Sequence, residues 1–252
     1  EIMPSLVGSE MCIRDRLKRS DIKREAAKII NEELTVDDSL FLYHDVCTNG
    51  IGYVDLMFKT DSIAPEQIPY LGLLKSVLGY VDTENYTYGE LFNEINANTG
   101  GINCGVEVFD RADSTEEFQA MFSVRGKALY TKMDFLFKMI GEILNSSKLE
   151  DTKRLYEIVA SVKSRAQVNL TGAGHSTAVL RAAAYSSPMA AFQDEMAGIG
   201  YYQFIEKLEK DFEQRKEETV EELCKLMKKI LRPENFMISY TGERESLETV
   251  QK

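Results

Sequence analysis

Few side chains in this 252-residue chain have the type and spacing that chemistry requires. There are two histidines, His44 and His175, and neither stands in a His-x-x-Glu-His or His-Glu-x-x-His arrangement. A hydrolytic zinc site needs three such ligands, with one coordination position left to water. Isolated in a strand-like run and beside a glycine, each histidine reads as structural. Glu90 and Glu94 lie four apart and so share one helix face. Paired carboxylates can trade a proton or bind a cation, but with no neighbouring histidine these two read as solvated or capping groups. The stretch 170–175, LTGAGH, is the one glycine-rich loop followed by a helix. A helix N-terminus can hold an anion. This loop lacks the Lys-Ser/Thr of a P-loop and the third glycine of a dinucleotide fingerprint, so it reads as loop geometry.

Cys12, Cys47, Cys104 and Cys224 are scattered and include no Cys-x-x-Cys pair. Disulfide frameworks and structural zinc sites use closer or more regular spacing, so these read as reduced, mostly buried thiols of a cytoplasmic or organelle-matrix protein. No catalytic, cofactor-binding or metal-ligating residue is assigned in this chain.

Composition narrows the partners. Against 30 basic residues stand 41 acidic ones, a formal charge of -11. That balance disfavours a nucleic acid partner, which needs a basic face. No apolar run approaches the roughly 20 residues needed to cross a bilayer. The stretch 133–144 is interrupted by Asp134, Lys138 and Glu142, so no membrane association is expected. With 44% hydrophobic and 28% charged residues, the chain is an ordinary globular protein, long enough to bury a core without covalent staples.

The elements that must position these residues follow from periodicity. The first sixteen residues, EIMPSLVGSEMCIRDR, have neither a helical nor a strand period, and the string SLVGSEMCIRDR resembles translated sequencing-adaptor sequence. They are expected to be non-native, which removes Cys12 from the chemistry. Residues 17–34 read as a helix with Ile22, Ala26, Ile29 and Ile30 on one face. Runs 39–46 and 52–59 read as strands, and Asn49-Gly50 between them signals a hairpin or tight turn. Helices are expected over 65–80 and 86–98, then paired antiparallel strands over 102–110 and 117–126. Further helices are expected over 129–144, 151–169, 178–185, 188–196, 199–210 and 213–231, with a closing strand at 235–241. This order points to an α+β fold, a mainly antiparallel sheet covered by helices.

Three segments carry a family resemblance: TNGIGYVDLMF, IPYLGLLKSVLGYVDTENYTYGELFNEINANTGGI and YSSPMAAFQDEMAGIGYYQFI. Together they resemble the noncatalytic third domain of presequence-protease-type metallopeptidases, of the pitrilysin/insulinase superfamily. The resemblance extends over about residues 17–252, and implies a pitrilysin/LuxS-like metallohydrolase domain. It implies 17–38 as the end of a helical linker, 39–243 as the domain, and 244–252 as the start of a connection to another domain. It also implies a whole enzyme of four such domains, in two halves closing around a chamber. Zinc would be held in the catalytic N-terminal half by the inverted motif, and unstructured peptides would be the substrate.

In the equivalent helix here, Leu71, Leu74 and Lys75 stand about where that motif's histidine, glutamate and second histidine would be. None of the three can do their work, so no cofactor is expected in this chain. Exposed apolar surface is expected where neighbouring domains pack. An alternative reading is a structural or interaction subunit on the same fold, such as a core-type subunit of a respiratory complex. A third is a small-molecule enzyme using Glu90, Glu94 and His175.

Overall fold

A computed structural model describes residues 31–36, 39–114 and 116–250, together with Asp21 and Glu25. The chain divides into two compact units, Glu1–Ile30 and Asn31–Lys252, and the second holds the sheet and its helices. Residues 1–16, and most of the helix expected over 17–34, lie outside the described residues.

Strands β1 (Glu32–Val36), β2 (Ser39–Asp45), β3 (Ile51–Lys59), β4 (Ile102–Asp110), β5 (Phe118–Leu129) and β6 (Phe236–Gly242) form one sheet in the order β1-β2-β6-β3-β5-β4. β2 pairs with β6 in parallel, and the remaining pairings are antiparallel, so the sheet is mixed. Residues 32–34, expected to finish the first helix, belong instead to β1. There Glu33 and Thr35 are exposed while Leu34 and Val36 pack on the core, a period of two.

The turn at Asn49-Gly50 forms, with φ of 53° and 84° in the left-handed region that glycine tolerates and asparagine visits. A hairpin does not form, because β6 lies between β2 and β3. The backbone N–H groups of Thr48 and Asn49 donate to Glu243 Oε1, at 3.2 and 3.1 Å, rather than to a facing strand. The loop therefore bridges two strand spacings, about 9–10 Å, and is tied to the residue that follows β6.

One face of the sheet carries Phe41, Tyr43, Val54, Leu56, Phe58, Phe122, Val124 and Tyr240, all buried. Above it lie α1 (Ile68–Val77), α2 (Tyr88–Asn98) and α3 (Met133–Ser146). Outside these run α4 (Thr152–Gly172), α5 (Gly174–Ala183), α6 (Pro188–Ala197), α7 (Ile199–Lys210) and α8 (Phe212–Ile230), and α9 (Leu247–Val250) follows β6. The glycine-rich stretch 170–175 is not a loop. α4 runs through Gly172, and Ala173 N donates to Asn169 O at 2.9 Å while Thr177 N donates to Ala173 O at 3.1 Å. Helical bonding thus continues on both sides of Ala173, and His175 lies in the first turn of α5.

α1 touches β4 on one side and α4, α6, α7 and α8 on others. Seven of its ten residues are buried, around the whole circumference, as expected of a helix enclosed on all sides. Gly72 makes the enclosure possible. A Cβ there would lie 2.7 Å from the Met196 carbonyl oxygen and 2.8 Å from Tyr201 Cε2. The junction between α6 and α7 that presses on it is fixed by Asp194, which is 1% exposed. Its carboxylate accepts from Arg181 Nη1 at 2.7 Å and from the N–H groups of Ile199 and Gly200 at 3.0 and 3.1 Å.

Deleting residues 232–252 removes β6 from the sheet interior and leaves β2 and β3 unpaired on their facing edges. The truncated chain is expected to lose its cooperative thermal transition, as followed by circular dichroism. Gly72→Val is expected to lower stability by about 1–3 kcal/mol through overpacking, read as an earlier midpoint in urea.

Candidate functional site

The positions singled out on α1 have two different environments. Leu71 and Leu74 are 0% and 1% exposed and belong to the core. Lys75, one residue on, is partly buried at the mouth of a cleft of about 590 Å³. Burial pushes its ammonium below the ordinary lysine range. Four elements wall the cleft: the end of α1, Phe92 and Asn96 on α2, the run Ile102 to Glu107 on β4, and Arg165 on α4.

The loop between α1 and α2 sets the shape of that cleft. Gly79, with φ 83°, turns the chain out of α1. Asp82 Oδ1 then accepts from Tyr88 N at 2.8 Å. Glu142, on α3, accepts from Asn85 N at 3.1 Å and Asn85 Nδ2 at 2.9 Å. Hydrogen bonds from Thr83 and Asn85 hold the Glu142 carboxyl below the usual glutamate range.

Glu90 and Glu94 do not form a catalytic pair. Glu90 Oε2 accepts from Thr87 N at 3.0 Å and Thr87 Oγ1 at 2.8 Å, while Glu90 N donates to Thr87 Oγ1 at 3.3 Å. This is a capping box, and the bonds from Thr87 hold the Glu90 carboxyl below its ordinary range. Glu94 Oε2 accepts from Asn98 Nδ2 at 3.2 Å. His175 is exposed on α5 and shares no hydrogen bond with either glutamate among the described residues.

His44 lies on the sheet face turned away from the helices, where its Nε2 meets Ser239 Oγ at 3.1 Å and its buried Nδ1 has no partner among the described residues. The same face holds a shallower cavity of about 440 Å³ lined by Asp55, Asn103, Arg125, Lys127, Ser239 and Thr241. Arg125 Nε donates to Asp55 Oδ2 at 2.7 Å and Nη1 to Glu107 Oε1 at 3.0 Å, raising the arginine further. Leu40, Tyr53 and Phe109 are exposed on this face.

Cys47, Cys104 and Cys224 are free. Cys47 is exposed, against the expectation of burial, because it falls in the loop after β2. Burial pushes the Cys104 thiol up to about 12 and raises Cys224 as well, so these two are protonated and poor nucleophiles at neutral pH. Among the described residues, no group of three or more His, Cys, Asp or Glu is placed to hold a metal ion. Arg165, Phe92 and Asn96 were not legible as site residues, since no local pattern links four separate elements to one cleft.

Residues 16–208 match the family model for the peptidase-associated domain of metallopeptidase family 16, subfamily C. The chain belongs to this peptidase-associated family. Its associated domain is 35% identical over 236 residues to Protein HypA of Clostridium perfringens, covering 94% of this chain and 24% of that protein. It is 26% identical over 236 residues to presequence protease 1, chloroplastic/mitochondrial, of Arabidopsis thaliana, covering 94% and 22%. With the mitochondrial presequence protease of Yarrowia lipolytica it shares 28% identity over 196 residues, 78% of this chain and 20% of that protein.

The chain thus spans about a quarter or less of the length of these relatives. A crystal structure of a protein from Enterococcus faecalis V583 shares the fold, with a TM-score of 0.58 at 14% identity, over 87% of this chain and 51% of that one. The matched residues end within α7, yet this peptidase-associated domain has its sheet completed by β6, beyond them.

Because its folded carboxyl pKa is depressed, Glu142 contributes stability that is full above about pH 5 and is lost as pH falls through the depressed value. Glu142→Gln is therefore expected to flatten the acid limb of a melting-temperature profile against pH, measured by differential scanning fluorimetry.

Proposed function

We propose that this chain is a noncatalytic, chamber-forming domain from the C-terminal half of a zinc-dependent oligopeptidase that degrades unstructured peptides. The observation that carries the reading is the family match together with the chemistry of α1. In that helix two core leucines and a lysine stand where a related domain would place its zinc ligands. Zinc does not fit these residues: alkyl side chains offer no lone pair, and an ammonium offers none while charged. No step of peptide hydrolysis is assigned to them.

Two features support a role within a larger assembly. The names of the relatives from Arabidopsis and Yarrowia describe presequence proteases, and this chain covers only part of their length. The sheet face away from the helices exposes Leu40, Tyr53 and Phe109, an apolar surface suited to contact with a neighbouring domain or with peptide. The pitrilysin-like domain assignment rests on the same two features. Among the described residues no helix is long and apolar enough to cross a membrane. The free thiols suit a reducing compartment.

The purified chain is expected to bind no stoichiometric zinc by metal analysis and to cleave no fluorogenic peptide. Co-expressed with the catalytic half of the same polypeptide, it is expected to co-purify with that half and to support peptide turnover. Zinc-dependent turnover by the chain alone, or a catalytic half fully active without it, would overturn the proposal.

A further inference from the structure

We infer that the cleft beside α1 holds an extended peptide segment, which pairs with the free edge of β4 and sets an acidic side chain against Lys75 and Arg165. The inference deepens the chamber reading, on which it rests only for the source of the peptide. β4 ends the sheet order, so its outer edge has no strand partner among the described residues. An unpaired edge presents a row of N–H and C=O groups that an incoming strand can satisfy. Six successive β4 residues, Ile102 to Glu107, line the cleft. A bound segment would therefore run along β4 instead of merely touching it at one point. The volume of about 590 Å³ falls within the usual range for ligand sites, roughly 300–1,000 Å³.

Charge specifies what the segment carries. Lys75 and Arg165 both line the cleft, and neither forms an ion pair among the described residues. Glu107 is the one acidic side chain lining it among the described residues, and its carboxylate is bound to Arg125 at 3.0 Å. In a chain with 41 acidic and 30 basic residues, two neighbouring cations without a carboxylate stand out. The wall beside them has a further unsatisfied group. Tyr201 is 5% exposed, and its hydroxyl, acted on by Ser76 and Arg165, lacks a hydrogen-bond partner among the described residues.

Burial already disfavours the charged form of Lys75, so an incoming carboxylate would recover what solvent no longer supplies. Side chains of a paired strand alternate between the two faces. One acidic residue can thus reach the cations while its neighbours lie against Phe92 and Ile95, which also line the cleft.

Fluorescence anisotropy on the full chain, with labelled nonapeptides of alternating Thr and Val, tests this directly. Each peptide carries an acetylated N-terminus and an amidated C-terminus, so that a central Glu supplies the only carboxylate. The Glu peptide is expected to bind about tenfold more tightly than its Gln counterpart, as one well-placed charge-assisted bond provides. A version with proline on both sides of the Glu is expected to lose binding, because it cannot pair with β4. Lys75→Met and Arg165→Gln should each bring the Glu and Gln peptides close to parity, whereas Lys75→Arg should retain the preference.

Circular dichroism identifies any variant that fails to fold, in which case the comparison of Glu and Gln peptides on the wild-type chain decides. Equal binding of those two peptides, undiminished preference in a folded Lys75→Met chain, tight binding of the proline peptide, or no binding at all would overturn the inference. None of these results touches the chamber reading, which stands or falls with the co-purification and turnover measurements.

Discussion

Burial of α1 on every side is the constraint on which the rest of the structure depends. A helix clasped between a sheet and four other helices has to be apolar around its circumference, and Tyr70, Leu71, Leu73, Leu74 and Val77 meet that demand. Gly72 allows the backbone of α6 and the ring of Tyr201 to approach within contact distance. This arrangement leaves no room for hydrolytic chemistry at the same positions. A histidine or glutamate at Leu71 or Leu74 would be a buried polar group without a partner, at roughly 1–3 kcal/mol each on mutational scales, unless the packing opened to admit water. Core and catalytic centre are alternative uses of one helix, and here the core has taken it.

A second constraint acts across the chain. β6 joins the sheet between strands that precede it by nearly 200 residues, and Tyr43 donates its hydroxyl to the Gly242 carbonyl at 3.1 Å across that separation. Phe41 and Tyr43 sit beside Tyr240, with ring centroids 6.4 and 6.2 Å apart. The sheet therefore cannot close until the whole helical region between has been placed, which implies slow formation of its central pairings. The alternation of Val54, Leu56 and Phe58 was readable, and so was the turn at Asn49-Gly50. Which strand would face β3 was not. Period-2 patterning reveals a buried face but carries no address for the neighbouring strand, and a sequence-adjacent pair is the natural first assumption. The parallel contact of β2 with β6 follows from the same insertion.

The candidate site was legible where chemistry is local and illegible where it is assembled. The capping role of Glu90 follows from a carboxylate three residues after a threonine, and the structure places it there. Core leucines on α1 were evident from helical spacing. The stretch 170–175 misled because glycine marks turns on average, while here Gly172 and Gly174 lie at the ends of two helices separated by one residue. Glu32 to Leu34 misled for the opposite reason. Charged residues before a leucine suit a helix end, but Thr35 and Val36 after them favour a strand. Arg165 gave no signal at all, since its significance lies in facing β4 and α1 across the cleft.

Lys75 joins these themes. It occupies the last turn of α1, where the partial negative charge of the helix end favours a cation by about 0.3–1 kcal/mol. That is a helix-terminal preference, not a neutralising partner, and burial acts against it. A lysine held in this way is tolerated only if its head group still reaches water or another charge, and the cleft beside β4 provides that access. The enclosure that dries Leu71 and Leu74 ends one residue later, so the same helix supplies an apolar core and, at its open end, a cation with unspent capacity for an anion. That juxtaposition follows from where the helix emerges from its neighbours, and it gives the domain a chemically specific surface without a catalytic group.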